Sequence, residues 1–277
     1  MDGDAETQNG RLSFVPAPTP NVTFFSQTVL TDRSKIRDLH MIKLPTFSLL
    51  SIALFATPGL AEAPQDKKLN QELAEIAATT VTRFPPEMVT KFRNGVAEVK
   101  ASGIEKSAKQ VGDAAVDGQL TGWDGKSVQL SQLWSEGPVV LMWYRGGWCP
   151  YCNAQLRAMQ KQLSAIENAG ARLVVLTPEL PEKAKETAAA NNLNMVALHD
   201  KDNQLARQYG IVFSLPESIA PIFKDKLSSF NGTKATELPL SATYVIDTDG
   251  KITYAYLNAD YTKRAEPADV IAAVESL

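Results

Sequence analysis

Two cysteines three positions apart constrain this chain more than any other feature. Cys149-Pro150-Tyr151-Cys152 follows the apolar run Val139 to Tyr144 and precedes a segment with helical spacing. Gly137-Pro138 and Gly146-Gly147 bound the run, so it reads as a central strand buried on both faces. Pro150 suits a first helical turn, where its missing N–H would have no partner. Leu156, Met159 and Leu163 then share one face of a helix predicted from Cys149 or Pro150 to about Asn168, with Gly170 ending it. A buried strand feeding such a helix calls for an α/β layout, a central β-sheet flanked by helices.

These are the only cysteines in 277 residues. A disulfide scaffold would spread several pairs along the chain. Structural zinc would need four Cys or His ligands, and the two histidines, His40 and His199, are remote in sequence. His199 ends the apolar run Val196 to Leu198 and reads as a strand-end histidine. Covalent haem fails because Asn153 stands where Cys-x-x-Cys needs a histidine. No metal and no cofactor are expected, and thiol redox chemistry remains.

At the start of a helix, free N–H groups and the positive helix end stabilise a thiolate on Cys149 and lower its pKa. Cys152, on the same helical face and at disulfide separation, can resolve what Cys149 forms, which predicts a Cys149–Cys152 disulfide. The alternative is a permanent structural disulfide, disfavoured because so small a loop removes little unfolded-state entropy. Trp148 offers a flat apolar surface for docking a partner or excluding water, or is a packed aromatic. Arg145 adds positive potential near the thiolate, or is a solvated strand-end arginine. Tyr151 is expected to be exposed.

The rest of the chain supplies context. Met41-Ile42-Lys43, the apolar run Phe47 to Ala56 and small residues before a cut after Ala61 read as a secretory signal over 41–61. A membrane anchor would need about 20 apolar residues, and Pro58-Gly59 interrupts this run. Residues 1–40 then read as a leader upstream of the natural start at Met41. The expected location is periplasmic or extracellular, or cytoplasmic if the leader hides the signal. The net charge of −3 gives no case for nucleic-acid binding.

Residues 62–108 read as a helical extension with helices over Gln65 to Arg83 and Pro86 to Ser102. Leu69, Leu73, Ile76 and Ala77 share one face of the first, and Met88, Phe92 and Val96 one face of the second. These faces bury against the main domain or against a second copy, making a homo-oligomer. Within the domain at 109–277, Val116 to Leu120 and Ser127 to Leu130 form a hairpin across Asp124-Gly125. Strands follow at Arg172 to Leu176 and Val196 to His199, and helices at Pro181 to Asn192 and Asn203 to Tyr209. Ile211 to Leu238 carries prolines and no clean period, and reads as an irregular insertion near the site. A second hairpin crosses Asp249-Gly250, joining Thr243 to Asp247 with Lys251 to Leu257, and Pro267 to Leu277 closes the chain as a helix.

The segment Gly137 to Cys152, with Val111-Gly112-Asp113-Ala114 before it and Ala242-Thr243-Tyr244-Val245-Ile246-Asp247 after it, resembles the alkyl hydroperoxide reductase and thiol-specific antioxidant family. That resemblance covers Val111 to Leu277. It implies a thioredoxin-like fold and a thiol peroxidase that reduces hydroperoxides with a thioredoxin-type protein as electron donor. Cys149 would become a sulfenic acid and Cys152 would condense with it. Thr243 joins the supporting residues on the same ground. Where the family places Thr or Ser three residues before the reactive cysteine, this chain has Gly146; Ser241 stands at the place of its arginine, for which Arg145 is the substitute. Two other readings stay open: a thiol–disulfide oxidoreductase acting on protein disulfides, and a non-catalytic partner-binding module.

Overall fold

The run Val139 to Trp143 lies fully buried inside a seven-stranded sheet. The computed structural model describes residues 68–277; the expected leader, the signal segment and the first residues of the extension lie outside the described residues. In chain order the elements are α1 (Leu69–Arg83), α2 (Pro86–Ala101), α3 (Ile104–Ser107), β1 (Gln119–Gly122), β2 (Ser127–Gln129), α4 (Leu130–Glu136) and β3 (Val139–Trp143). Then come α5 (Pro150–Lys161), α6 (Leu163–Asn168), β4 (Arg172–Thr177), α7 (Pro181–Ala190), β5 (Ala197–His199) and α8 (Gln204–Gln208). The chain ends with β6 (Val212–Ser214), α9 (Ala220–Asn231), β7 (Glu237–Pro239), β8 (Thr243–Ile246), β9 (Ile252–Tyr256) and α10 (Pro267–Glu275).

The strand order is β2-β1-β5-β4-β3-β8-β9, with β3, β4 and β5 mutually parallel and the other pairings antiparallel. Alternation along β3 explains its double burial. Val139, Leu141 and Trp143 enter the core on one face, with Tyr209 and Tyr244. Val140 and Met142 enter the other, with Leu156 and Met159 of α5. Trp143 also donates its indole N–H to Asp200 Oδ2 at 3.0 Å, which satisfies a polar atom in the core.

The extension packs on the domain of its own chain. Leu69 and Leu73 of α1 are buried in the α5 side of the core, with Ile76 and Ala77 packed against it. Burial of a leucine contributes roughly 1.5–3 kcal/mol, so two of them hold a 15-residue helix that would be marginal in isolation. Asn70 N–H donates to Glu266 Oε1 at 2.6 Å and ties the start of α1 to the loop before α10. On α2 the buried positions are Gly95 and Val99, on the face that also carries half-buried Met88, Phe92 and Val96.

Three expectations need correction. The helix after the cysteines is broken at Gln162 (φ −101°, ψ 8°), where α5 gives way to α6, and Leu163 is half-buried while Ile166 takes the core position. The first strand lies at Gln119–Gly122, displaced toward its turn from Val116 to Leu120. Residues 211–238 are not irregular: β6 and β7 form a two-stranded antiparallel sheet around the 12-residue helix α9. Pro221 misleads there, because a proline in the first turn opens a helix instead of breaking one. Prolines open α2, α5, α7 and α10 in the same way.

Candidate active site

At its carboxyl end β3 continues into Tyr144 and Arg145, and the chain then turns through Gly146-Gly147-Trp148. Cys149 caps α5 in an extended conformation, with Pro150 in the first turn. Both glycines are sterically required. Gly146 has φ +147°, and a Cβ there would stand 2.3 Å from Trp148 Nε1; one on Gly147 would stand 2.0 Å from Thr187 Oγ1. The loop is pinned from below by Glu179, which is 0% exposed. Its Oε1 accepts from Gly147 N–H at 2.7 Å and its Oε2 from Tyr144 Oη at 2.8 Å, while Thr187 Oγ1 reaches both oxygens at 3.3–3.4 Å. Burial pushes the Glu179 carboxyl up, against the pull of these hydrogen bonds.

Cys149 and Cys152 are free thiols, 2% and 0% exposed. Each is met by a guanidinium. Arg145 Nη2 donates to Cys149 Sγ at 3.3 Å, and its Cζ lies 4.9 Å from the Tyr261 ring centroid and 5.7 Å from that of Trp148. Arg264 Nη2 donates to Cys152 Sγ at 3.5 Å, and Ser241 Oγ lies 3.9 Å from the same sulfur.

The electrostatics correct the expectation that the helix start alone lowers the Cys149 pKa. Two adjacent buried thiols titrate as a pair, since one thiolate disfavours a second. Burial, followed by the hydrogen bond and charge of Cys152, pushes Cys149 well above the ordinary thiol value. Burial opposes the Cys152 thiolate too, but the Cys149 thiol and the charges of Arg264 and Arg145 outweigh it and hold Cys152 well below that value. Both guanidiniums favour whichever of the two sulfurs is ionised. The same two sulfurs raise the pKa of Arg145 despite its burial.

Access runs the other way. Cys149 lines a cavity of about 680 Å³ walled by Ile76, Phe92, Trp148, Leu215, Phe223 and Tyr261. Trp148 is half-buried, 5.4 Å from the Phe223 centroid, so it both packs and lines the opening. Arg145 is buried and not solvated. Tyr151 is buried, contrary to expectation, because its ring meets Tyr261 edge-on at 5.5 Å and its hydroxyl shares a hydrogen bond with Thr80 Oγ1 of α1 at 3.3 Å. Thr243 lies in β8. It pairs with Met142 in the sheet, and its Oγ1 accepts from Gln155 Nε2 at 3.4 Å.

Arg264, Tyr261 and Glu179 escaped sequence reasoning. Glu179 had a usable signal, since it stands just past the carboxyl end of parallel strand β4, where open α/β sheets place their sites. Arg264 had none, being 112 residues from Cys152. Among the described residues no group of three or more His, Cys, Asp or Glu is placed to hold a metal ion.

Comparison with known proteins finds a family match and relatives. Residues 111–255, just over half the chain, match the model of the AhpC/TSA family. Peroxiredoxin Bcp of Escherichia coli (strain K12) is 26% identical over 162 residues, covering 58% of this chain and 92% of that protein. A chloroplastic peroxiredoxin Q of Oryza sativa subsp. japonica is 28% identical over 181 residues, 65% of this chain and 72% of that one. The crystal structure of peroxidoxin BcpB from Mycobacterium tuberculosis matches with a TM-score of 0.48 at 22% identity, covering 61% of this chain and 97% of that chain. Helices α1 to α3 and Arg264 fall outside the family-matched residues.

Proposed function

This chain belongs to the AhpC/TSA family, and from that premise we propose that it is a thiol-dependent peroxidase in which Cys149 attacks the hydroperoxide and Cys152 resolves. The observation that carries the division of roles is access: Cys149 lines the cavity, and Cys152 lies wholly buried behind it. Passing the Cys149 proton to an ionised Cys152 would create the attacking thiolate without adding charge to a buried site.

The Cys149 sulfur then takes the distal oxygen, the O–O bond breaks, and the leaving alkoxide or hydroxide takes up a proton. Cys149 is left as a sulfenic acid. Cys152 attacks that sulfur, the sulfenic oxygen leaves with a proton as water, and a Cys149–Cys152 disulfide forms. A thioredoxin-type dithiol would return it to two thiols by exchange. Arg145, at 3.3 Å, stabilises the Cys149 thiolate and faces the incoming oxygens. With Gly146 offering no hydroxyl, that guanidinium is a polar contact for the peroxide beside Cys149, and the aromatic and aliphatic part of the cavity lining suits organic hydroperoxides as well as hydrogen peroxide.

Stopped-flow oxidation of the reduced protein by hydrogen peroxide and by an organic hydroperoxide tests the reading. Oxidation far faster than that of a free thiol, abolished in Cys149→Ser, is expected. Oxidation no faster than a free thiol would overturn it and leave exchange with protein disulfides, measured as insulin reduction, as the reading to pursue.

A further inference from the structure

Arg264 takes no part in the peroxide-attacking step above. It lies between β9 and α10, beyond the family-matched residues, and is 5% exposed. Its Nη1 donates to the carbonyl oxygens of Tyr261 and Lys263, which fixes the guanidinium plane, and its Nη2 is left pointing at Cys152 Sγ, 3.5 Å away. A guanidinium is costly to bury and favours a negative partner beside it. Here a reacting sulfur is within hydrogen-bond reach, on the cysteine that does not line the cavity.

We propose that Arg264 is a catalytic residue of the resolving step, keeping Cys152 ionised while Cys149 is a sulfenic acid and so setting the rate of disulfide formation separately from peroxide attack. The kinetic part of this proposal rests on the peroxidase reading. In the reduced pair two thiols compete for one charge. Once Cys149 is a neutral sulfenic acid, Cys152 is the remaining thiol, and it faces Arg145 from the loop and Arg264 from the tail. Ser241 Oγ lies beside it without charge. On the far side Glu179 and Tyr144 sense the Cys152 charge, and an ionised Glu179 opposes it. The two guanidiniums outnumber that carboxylate, and Arg264 is the one in contact.

The electron balance needs no further reactant. The Cys152 thiolate donates the electron pair that forms the S–S bond, so its sulfur is oxidised. The Cys149 S–O bond breaks and that sulfur is reduced; the hydroxide leaves and takes a proton from solvent. Arg264 keeps its proton throughout.

The full chain carrying Arg264→Gln or Arg264→Lys tests this in two ways. Rapid mixing with hydrogen peroxide separates sulfenic acid formation from the later disulfide-forming phase. Arg264→Gln is expected to slow the second phase about tenfold more than the first, since a smaller thiolate fraction is only partly offset by higher intrinsic nucleophilicity. A 1,3-dicarbonyl trap should then capture more sulfenic acid, the pH midpoint of the second phase should rise, and Arg264→Lys should recover most of the rate. Equal slowing of both phases, or no slowing, overturns the proposal.

The second test needs no peroxide. In a Cys149→Ser background, ultraviolet thiolate absorbance reports Cys152 alone, and Arg264→Gln should raise its titration midpoint by about one pH unit or more, with Arg264→Lys raising it less. An unmoved midpoint overturns the proposal even if the enzyme is a peroxidase. Slow peroxide oxidation of the unmutated protein would instead fail the peroxidase reading, while the titration still decides whether Arg264 ionises Cys152.

Discussion

The end of β3 and the helix α1 meet at one cavity but are held there by different means. β3 is hydrogen-bonded on both sides, to β4 and β8, every residue along it is buried, and its loop is anchored by Glu179. Helix α1 is held by two buried leucines, the Glu72–Arg157 pair and the Asn70–Glu266 hydrogen bond, and its side-chain hydrogen bond to the cysteine motif is the one shared by Thr80 and Tyr151 at 3.3 Å. The difference separates two tasks. Chemistry that tolerates little displacement is built on the over-determined part, and the surface that meets the substrate is built from less constrained segments.

The strongest test of that contrast is Gly147→Ala. The new methyl collides with the Thr187 side chain and pushes the loop off Glu179. Overpacking of this kind costs about 1–3 kcal/mol, and a displacement near 1 Å costs on the order of a hundredfold in turnover. Denaturant unfolding and peroxide consumption measure the two effects; unchanged values in both would show that the floor is not over-determined. On the wall, Phe92→Ala removes an aromatic that contacts Phe223 at 6.2 Å between centroids. Its expected effect is confined to KM for a bulky organic hydroperoxide, a rise of about tenfold, with hydrogen peroxide kinetics unchanged. Equal losses with both peroxides would place Phe92 in the floor's category.

The smallest effect concerns pH. Because burial raises the Glu179 carboxyl above its ordinary 4.5, the folded protein holds a proton that the unfolded chain releases. The resulting stability is complete below 4.5 and is lost as pH rises through the folded value. Glu179→Gln should therefore flatten the fall in unfolding midpoint from pH 4.5 upward. Stability curves that stay parallel would remove Glu179 as a titrating anchor.

What was legible in the sequence follows the same division. The buried strand, the cysteine pair and the helix start are local patterns of period and composition, and they survive intact. Proline at 221 misled because its meaning depends on whether it opens or interrupts a helix. The sequence placed Tyr151 at the surface because α1 and Tyr261 cover it only after folding. Thr243 came from likeness to other chains, and the sheet directs it to Gln155 instead. The Cys149 pKa was misjudged for the most instructive reason: the helix start is written locally, whereas burial and the neighbouring Cys152, which push Cys149 up, and the Arg264 guanidinium 112 residues from Cys152 are set only by the fold.

The absence of room for a Cβ at Gly146 and Gly147 has an evolutionary consequence. A side chain at either position must displace Trp148 or Thr187, so substitution beside the reacting sulfur costs stability and turnover together. The helices framing the opening can accumulate changes one at a time. Descendants of such a chain can diversify in diet while inheriting the same reacting geometry.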